Sequence, residues 1–208
     1  MTDVTAKPAP RRREQTRARL LDAAHEVFAE VGMDAASVEM VCERAGFTRG
    51  AFYSNFESKD ELFLALIMQL AEQKMAEVAD RVREIPDEAA GDPVRMVRHI
   101  VGASFGEQLK SDLVSEIQAQ AMRDGRMAEA FLTWQRAVCG RIEQIIAQVV
   151  ETHGIRLRIS VAEAAELLHD VTTATCTNAT LEGCTQAEIG ERLNTRLEML
   201  VGALVEPR

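Results

Sequence analysis

Several features are missing from this 208-residue chain, and each absence removes a class of function. No apolar run is long enough to span a bilayer, because acids, Arg, Lys or Gln interrupt every candidate segment. The basic N-terminus has no apolar stretch behind it, so no secretory signal is read. The four cysteines, Cys42, Cys139, Cys176 and Cys184, form no CxxC pair and have no histidine at metal-ligand spacing. Reduced thiols in a cytoplasmic protein fit that pattern better than a disulfide framework. The chain also lacks a glycine-rich phosphate loop, a GxSxG and an HExxH, and its four histidines (His25, His99, His153, His169) are isolated. No enzyme activity, metal or cofactor is expected. No segment alternates in the manner of a strand.

What remains is helical patterning in a composition suited to a globular protein, 47% hydrophobic and 27% charged. The net charge of −9 is unevenly spread: residues 1–20 hold six cations (Lys7, Arg11, Arg12, Arg13, Arg17, Arg19) against Asp3 and Glu14. A basic tip on an acidic body can still bind DNA, because phosphate attraction is local and screened beyond about 8 Å at physiological salt.

Residues 1–10, with Pro8 and Pro10, read as a disordered tail. From Arg13 to Val31, Leu20, Leu21, Ala24, Val27, Phe28 and Val31 recur at helical spacing, and Gly32 ends that helix. Ser37 caps a second helix that Gly46 closes, and Thr48 caps a short third helix reaching about Asn55. Ser58 with Glu61 forms a capping box for a long fourth helix, which stops before Pro86. Asp92–Pro93 opens a fifth helix to about Phe105, and a sixth covers about Ser111–Arg123. A seventh runs from about Met127 to His153, an eighth over Val161–Leu181 and a ninth over Gln186–Val205. The expected fold is all-α with about nine helices. Residues 11–57 are a helix-turn-helix domain and 58–208 a helical regulatory and dimerisation domain.

The stretch 37–62 has the layout of a DNA-reading helix-turn-helix. Gly46 supplies a tight turn, and small residues (Cys42, Ala45, Ala51) stand where two helices cross. Gly50 and Ala51 keep the leading edge of the short helix open. With Ser37, Val41–Cys42, Ala45–Gly46–Phe47–Thr48, Phe52–Tyr53, Phe56, Lys59 and Leu62, the segment resembles the N-terminal domain of the TetR (tetracycline-repressor) family over about residues 13–66. Cys42 stands where alanine is common and Asn55 where histidine or another polar residue often sits.

The resemblance implies a homodimeric repressor released from a near-palindromic, double-stranded operator by a small-molecule effector. Ser37, Thr48, Tyr53, Asn55 and Lys59 would hold phosphates, and Arg49 would read a base edge. Thr48 and Ala51 would meet thymine methyls, with Gly50 giving clearance. Arg11, Arg12 and Arg13 would reach the minor groove or flanking phosphates, or else form only a solvated charge run. Candidate effector contacts are Met96, His99, Ile100, Phe105, Ile117, Gln118, Met122, Phe131, Trp134, Gln135, Cys139, His169, Thr172 and Cys176, each also readable as ordinary core. Candidate dimer contacts are Val161, Ala165, Leu168, Thr172, Ile189, Leu193, Leu197, Leu200 and Leu204. The alternatives are a DNA-binding regulator answering to a protein partner or a redox change, and a helical enzyme with a vestigial DNA domain.

Overall fold

The computed structural model describes residues 10–86, 88–89, 91–101 and 111–206. Among these, nine helices and no strand are present, as the patterning suggests. The expected tail therefore lies outside the described residues but for Pro10, as do Phe105 and the side chain of Arg11. The chain divides into two compact units, Met1–Gln69 and Leu70–Arg208. No helix of the described residues is long and apolar enough to cross a membrane.

In the first unit, α1 (Pro10–Ala35) buries Leu20, Leu21, Ala23, Ala24, Val27 and Phe28 along one stripe. Gly32 takes φ 77° and kinks the helix. Val31, one residue before that kink, is exposed rather than part of the stripe. Helix α2 (Val38–Ala45) is capped by Ser37, whose Oγ accepts from the Met40 N–H at 3.2 Å. It ends at Gly46, in the left-handed region with φ 70°. The Gly46 and Phe47 N–H groups return to Glu43 and Cys42 carbonyls, satisfying groups that a helix end leaves open. Thr48 then caps the five-residue α3 (Arg49–Tyr53) through the Ala51 N–H.

Helix α4 (Lys59–Arg83) contributes to both units. Its first half supplies Leu62, Phe63, Leu66 and Ile67 to the first core, where Phe63 meets Phe28 edge-on at 4.8 Å. Ser58 accepts from the Glu61 N–H, while Glu61 reaches back to the Glu57 N–H rather than to Ser58 itself.

In the second unit, α5 (Pro93–Val101) packs on α9 (Gln186–Leu204). Likewise α6 (Ser111–Ala121) packs on α7 (Gly125–His153), and α8 (Val161–Leu181) packs on both α7 and α9. Asp92 Oδ1 accepts from the Val94 and Arg95 N–H groups, which starts α5 at its proline. Ser160 with Glu163 and Thr185 with Glu188 form capping boxes that set the starts of α8 and α9. The Asp124 carboxylate starts α7 two residues earlier than the apolar pattern suggests. Arg98 makes a bidentate pair with Glu198, at 2.8 and 3.0 Å, tying α5 to α9.

Candidate nucleic-acid interface

The reading head is assembled by polar groups that face inward. Arg17 donates to the Asn55 carbonyl at 3.1 Å and lies 4.2 Å above the Phe56 ring. Arg19 donates to the Ala45 carbonyl at 2.9 Å and covers the half-buried Phe47. These two cations, which the charge count assigns to the basic tip, fasten α1 to the turn and to the end of α3. Arg44 binds Glu26 and Glu30 of α1 at 2.9 and 2.7 Å. The Lys59 ammonium donates to the Ala36 carbonyl at 3.1 Å. Small α2 residues, Cys42 and Ala45, are buried with Val41 and allow the close crossing.

Most of the expected DNA contacts face outward. Thr48, Arg49, Gly50 and Tyr53 are exposed, Ala51 and Ser37 half-buried, and Arg12 and Arg13 exposed on the first turns of α1. Arg49 is 60% exposed and paired with Glu39 of α2. Its guanidinium stands 5.8 Å from the Tyr53 ring, and the Tyr53 hydroxyl, then Glu39, raise its pKa and keep it charged. The pairing with Glu39 is a feature that sequence spacing does not disclose, because it joins two helices across the turn.

Asn55 departs from its expected phosphate role. It is 8% exposed, and its Nδ2 donates to the Ala51 carbonyl at 2.8 Å and to Ser54 Oγ at 3.2 Å. The side chain closes the end of α3, where free carbonyls compete for it.

A family model for bacterial regulatory proteins of the tetR family matches residues 20–66. UidR, an HTH-type transcriptional regulator of Escherichia coli, is 31% identical over 159 residues, covering 76% of this chain and 79% of that protein. The chain belongs to the TetR family. AcrR, an HTH-type transcriptional regulator of Shigella flexneri, is 27% identical over 171 residues, 78% of this chain and 77% of its own. Salmonella enterica GusR matches in structure with a TM-score of 0.68 at 25% identity, covering 96% of this chain and 98% of that one. SmeT, the repressor of the Stenotrophomonas maltophilia multidrug efflux pump SmeDEF, gives 0.61 at 26% identity, covering 91% and 90%. A TetR-family chain is a DNA-binding transcriptional regulator, not an enzyme.

The second unit of this TetR-family regulator holds a partly open cavity of about 310 Å³. That volume lies at the lower end of small-molecule sites, roughly 300–1,000 Å³. Six of the expected contacts line it: Met96, Ile100, Trp134, His169, Thr172 and Cys176. The other expected contacts among the described residues do not, for different reasons. Met122 is 77% exposed just past α6. Gln118 is exposed and Ile117 fully buried, both on α6 but off the wall. Phe131 stacks on Trp134 at 5.2 Å, outside the wall, and His99, Gln135 and Cys139 are also absent from it.

Helical spacing had hidden the larger part of the lining. Met75 and Val78 of α4 and Ile142, Ile145, Ile146 and Val149 of α7 form one aliphatic surface. They look like core stripes, and only the half-buried state of the α7 residues distinguishes them.

The expected dimer contacts also need correction. Ala165, Ile189, Leu193 and Leu197 are buried inside the subunit. Leu168, Thr172, Ile189, Leu197 and Leu204 line the cavity. Val161 and Leu200 are half-buried. The apolar face of these helices is turned to its own unit. Among the exposed residues, Leu167, Asp170, Ala174, Asn178 and Leu181 follow one another on α8, and Arg196, Met199 and Ala203 on α9. They recur at three- and four-residue steps along one face of each helix.

Burial raises the pKa of the Cys42 thiol, helped by Glu39, and of Cys139, helped by Glu166 and Asp170. Burial alone raises that of Cys176. A protonated thiol is a weaker nucleophile than a thiolate. Among the described residues no group of three or more His, Cys, Asp or Glu is placed to hold a metal.

Proposed function

We propose that the chain is a homodimeric, cytoplasmic repressor. It holds a near-palindromic operator through α3 of each subunit and leaves it when a small molecule enters the second unit. The observation that supports this reading best is the contrast around α3. Arg17, Arg19 and Lys59 are each fastened to a backbone carbonyl, while Thr48, Arg49 and Tyr53 stay outward at the short helix that would enter a major groove.

In this reading Ser37, Thr48 and Tyr53 hold phosphates, Arg49 reads a base edge, and Ala51 and Gly50 leave room for thymine methyls, while Lys59, bonded to the Ala36 carbonyl, braces the head instead of holding a phosphate. Arg11, Arg12 and Arg13 add contacts to flanking phosphates or the minor groove. The DNA-reading domain extends through residue 57, and the remainder is regulatory. The dimer face is Leu167, Ala174, Asn178 and Leu181 on α8 with Met199 and Ala203 on α9, because their side chains have no place inside the subunit. Successive major grooves lie about 34 Å apart, so a ligand that shifts α4 by a few ångströms misaligns the two heads. The ligand must bind the misaligned state more tightly for release to follow.

Fluorescence polarisation of a labelled duplex from the upstream region, titrated with the full chain, tests this. Binding should weaken steeply with added salt, and sedimentation should show a dimer. A monomer indifferent to every upstream duplex would overturn the reading.

A further inference from the structure

Two neighbouring helices give the cavity walls of different chemistry, and both are described at every residue. After Trp134, α7 contributes only valine and isoleucine, with Ile142, Ile145 and Val149 at the centre. From His169 onward, α8 contributes His169, Thr172, Thr173, Cys176 and Thr177, which recur at three- and four-residue steps along one face. A helical threonine can return its hydroxyl to the carbonyl one turn back, as Thr16, Thr133 and Thr195 do on α1, α7 and α9. Among the described residues, Thr172, Thr173 and Thr177 make no such bond, and neither their hydroxyls nor the His169 ring nitrogens have another hydrogen-bond partner. Trp134 stands beside His169, with ring centroids 6.4 Å apart, and its buried indole N–H also lacks a partner. Burial, opposed by Asp170, lowers the pKa of His169, and burial raises that of Cys176, so the row is uncharged near pH 7.

We propose that the cavity takes an elongated, largely apolar molecule with neutral oxygens, hydroxyl or carbonyl, along one edge. That edge lies on the α8 row, and the hydrocarbon lies on the aliphatic side of α7. This rests on the effector reading of the cavity and adds the chemical class. His169 and Thr177 stand about 12 Å apart along the helix axis, so the row takes an oxygen at each end of a two-ring molecule. A threonine hydroxyl and a neutral imidazole each donate and accept, which suits both kinds of oxygen. An oxygen leaves water when it enters, at a cost that only a new partner offsets. The valines and isoleucines of α7 supply no partner, so the two walls fix which edge of the molecule turns to which helix.

Calorimetric titration of the full chain without DNA tests this with two rigid probes, bicyclohexyl-4,4′-diol and its mono-ol, 4-cyclohexylcyclohexanol. The diol should bind about five- to tenfold more tightly than the mono-ol, the gain of one neutral hydrogen bond. The sign is decisive, because a second hydroxyl without a partner would weaken binding instead. In Thr173→Val/Thr177→Val, and separately in His169→Phe, one end of the row is lost, so the diol should fall to or below the mono-ol. Thr133→Val, at a back-bonded threonine off the wall, should keep the preference. Thermal melting shows whether each variant folds. If one of them does not, the wild-type order and the other variant decide. Failure of the diol to bind, equal binding of the two probes, or a diol preference that survives in either wall variant would overturn the assignment. Duplex release is measured separately. A diol that binds through the row yet releases no duplex sinks the effector reading alone, and release by the mono-ol with no preference for the diol sinks this one alone.

Discussion

The two units of this chain use their polar groups in opposite ways. In the first, Arg17, Arg19 and Lys59 are spent on backbone carbonyls, and Ser37 and Thr48 on N–H groups at helix starts. The second caps its helix starts in the same way and ties α5 to α9 through Arg98 and Glu198, but it also leaves apolar stripes around a cavity. A reading head must present a few side chains in fixed geometry, so its frame is tied down by specific bonds. A receptor must leave space, and space requires stripes that do not close completely on one another.

The largest expected effect tests whether the stripes of α9 belong to the subunit or to a partner. Leu193 has no exposed surface, whereas Met199, six residues on, is 72% exposed. Leu193→Arg should bury an unpaired charge and cost on the order of 4 kcal/mol or more, a large share of the roughly 5–15 kcal/mol that holds a typical domain folded. Met199→Arg should change unfolding free energy by about 0.5 kcal/mol or less while weakening the dimer. Urea unfolding and analytical ultracentrifugation of both variants read the difference. A monomeric yet fully stable Leu193→Arg protein would show that the helix faces are assigned the wrong way round.

That assignment also marks where sequence reading reached its limit. The helices and most of their ends were legible because Ser37, Thr48, Gly46 and Asp92 each carry a local chemical signal. The first-unit core was legible for the same reason: Leu20, Phe28, Phe52 and Phe63 sit at spacings with one sensible inward direction. On α8 and α9 a single stripe was read as the partner-facing side, yet helical period alone does not say which neighbour a stripe meets. Ile189 and Leu197 face their own unit. The wall of the cavity was half legible, since a wall residue and a core residue share the same pattern. Asn55 misled because a polar residue beside a reading helix has two uses, and closing the helix end won.

A smaller effect separates reading from holding within the first unit. In the proposed docking, Arg49→Ala should cost about 1–3 kcal/mol of operator affinity and relax preference at one base pair per half-site. Tyr53→Phe should weaken all duplexes alike, since a phosphate contact carries no sequence information. A binding-site selection with each variant distinguishes the two. Unaltered base preference in Arg49→Ala would leave that arginine as a holding residue.

Smaller again is the contribution of the inward cations. Arg19→Gln removes a charge-assisted bond to the Ala45 carbonyl and the cover over Phe47. Both groups are partly solvated, so a loss of about 1–2 kcal/mol is expected in the stability of the first unit. Hydrogen exchange at Phe47 and Phe52 amides should rise by a matching factor, with amides of α8 and α9 unchanged. A uniform rise through both units would mean that they unfold as one.

The smallest effect concerns Glu39, the one acid that the structure pairs with a candidate base-reading arginine. Two opposed influences meet there. The carboxylate holds the Arg49 guanidinium in place, which should aid reading, and it carries a negative charge on a face proposed to meet phosphates. Both partners are more than half exposed, so the pair itself contributes about 0–1 kcal/mol and orients Arg49 weakly. Repulsion from the duplex involves several phosphates at once, each within a Debye length of about 8 Å. Repulsion should therefore win. Glu39→Gln should tighten binding to every duplex by about two- to fivefold, an amount of about 0.4–1 kcal/mol, with the gain shrinking as salt is raised. If binding weakens instead and base preference at the Arg49 position broadens, orientation outweighs repulsion, and Glu39 becomes part of the reading head.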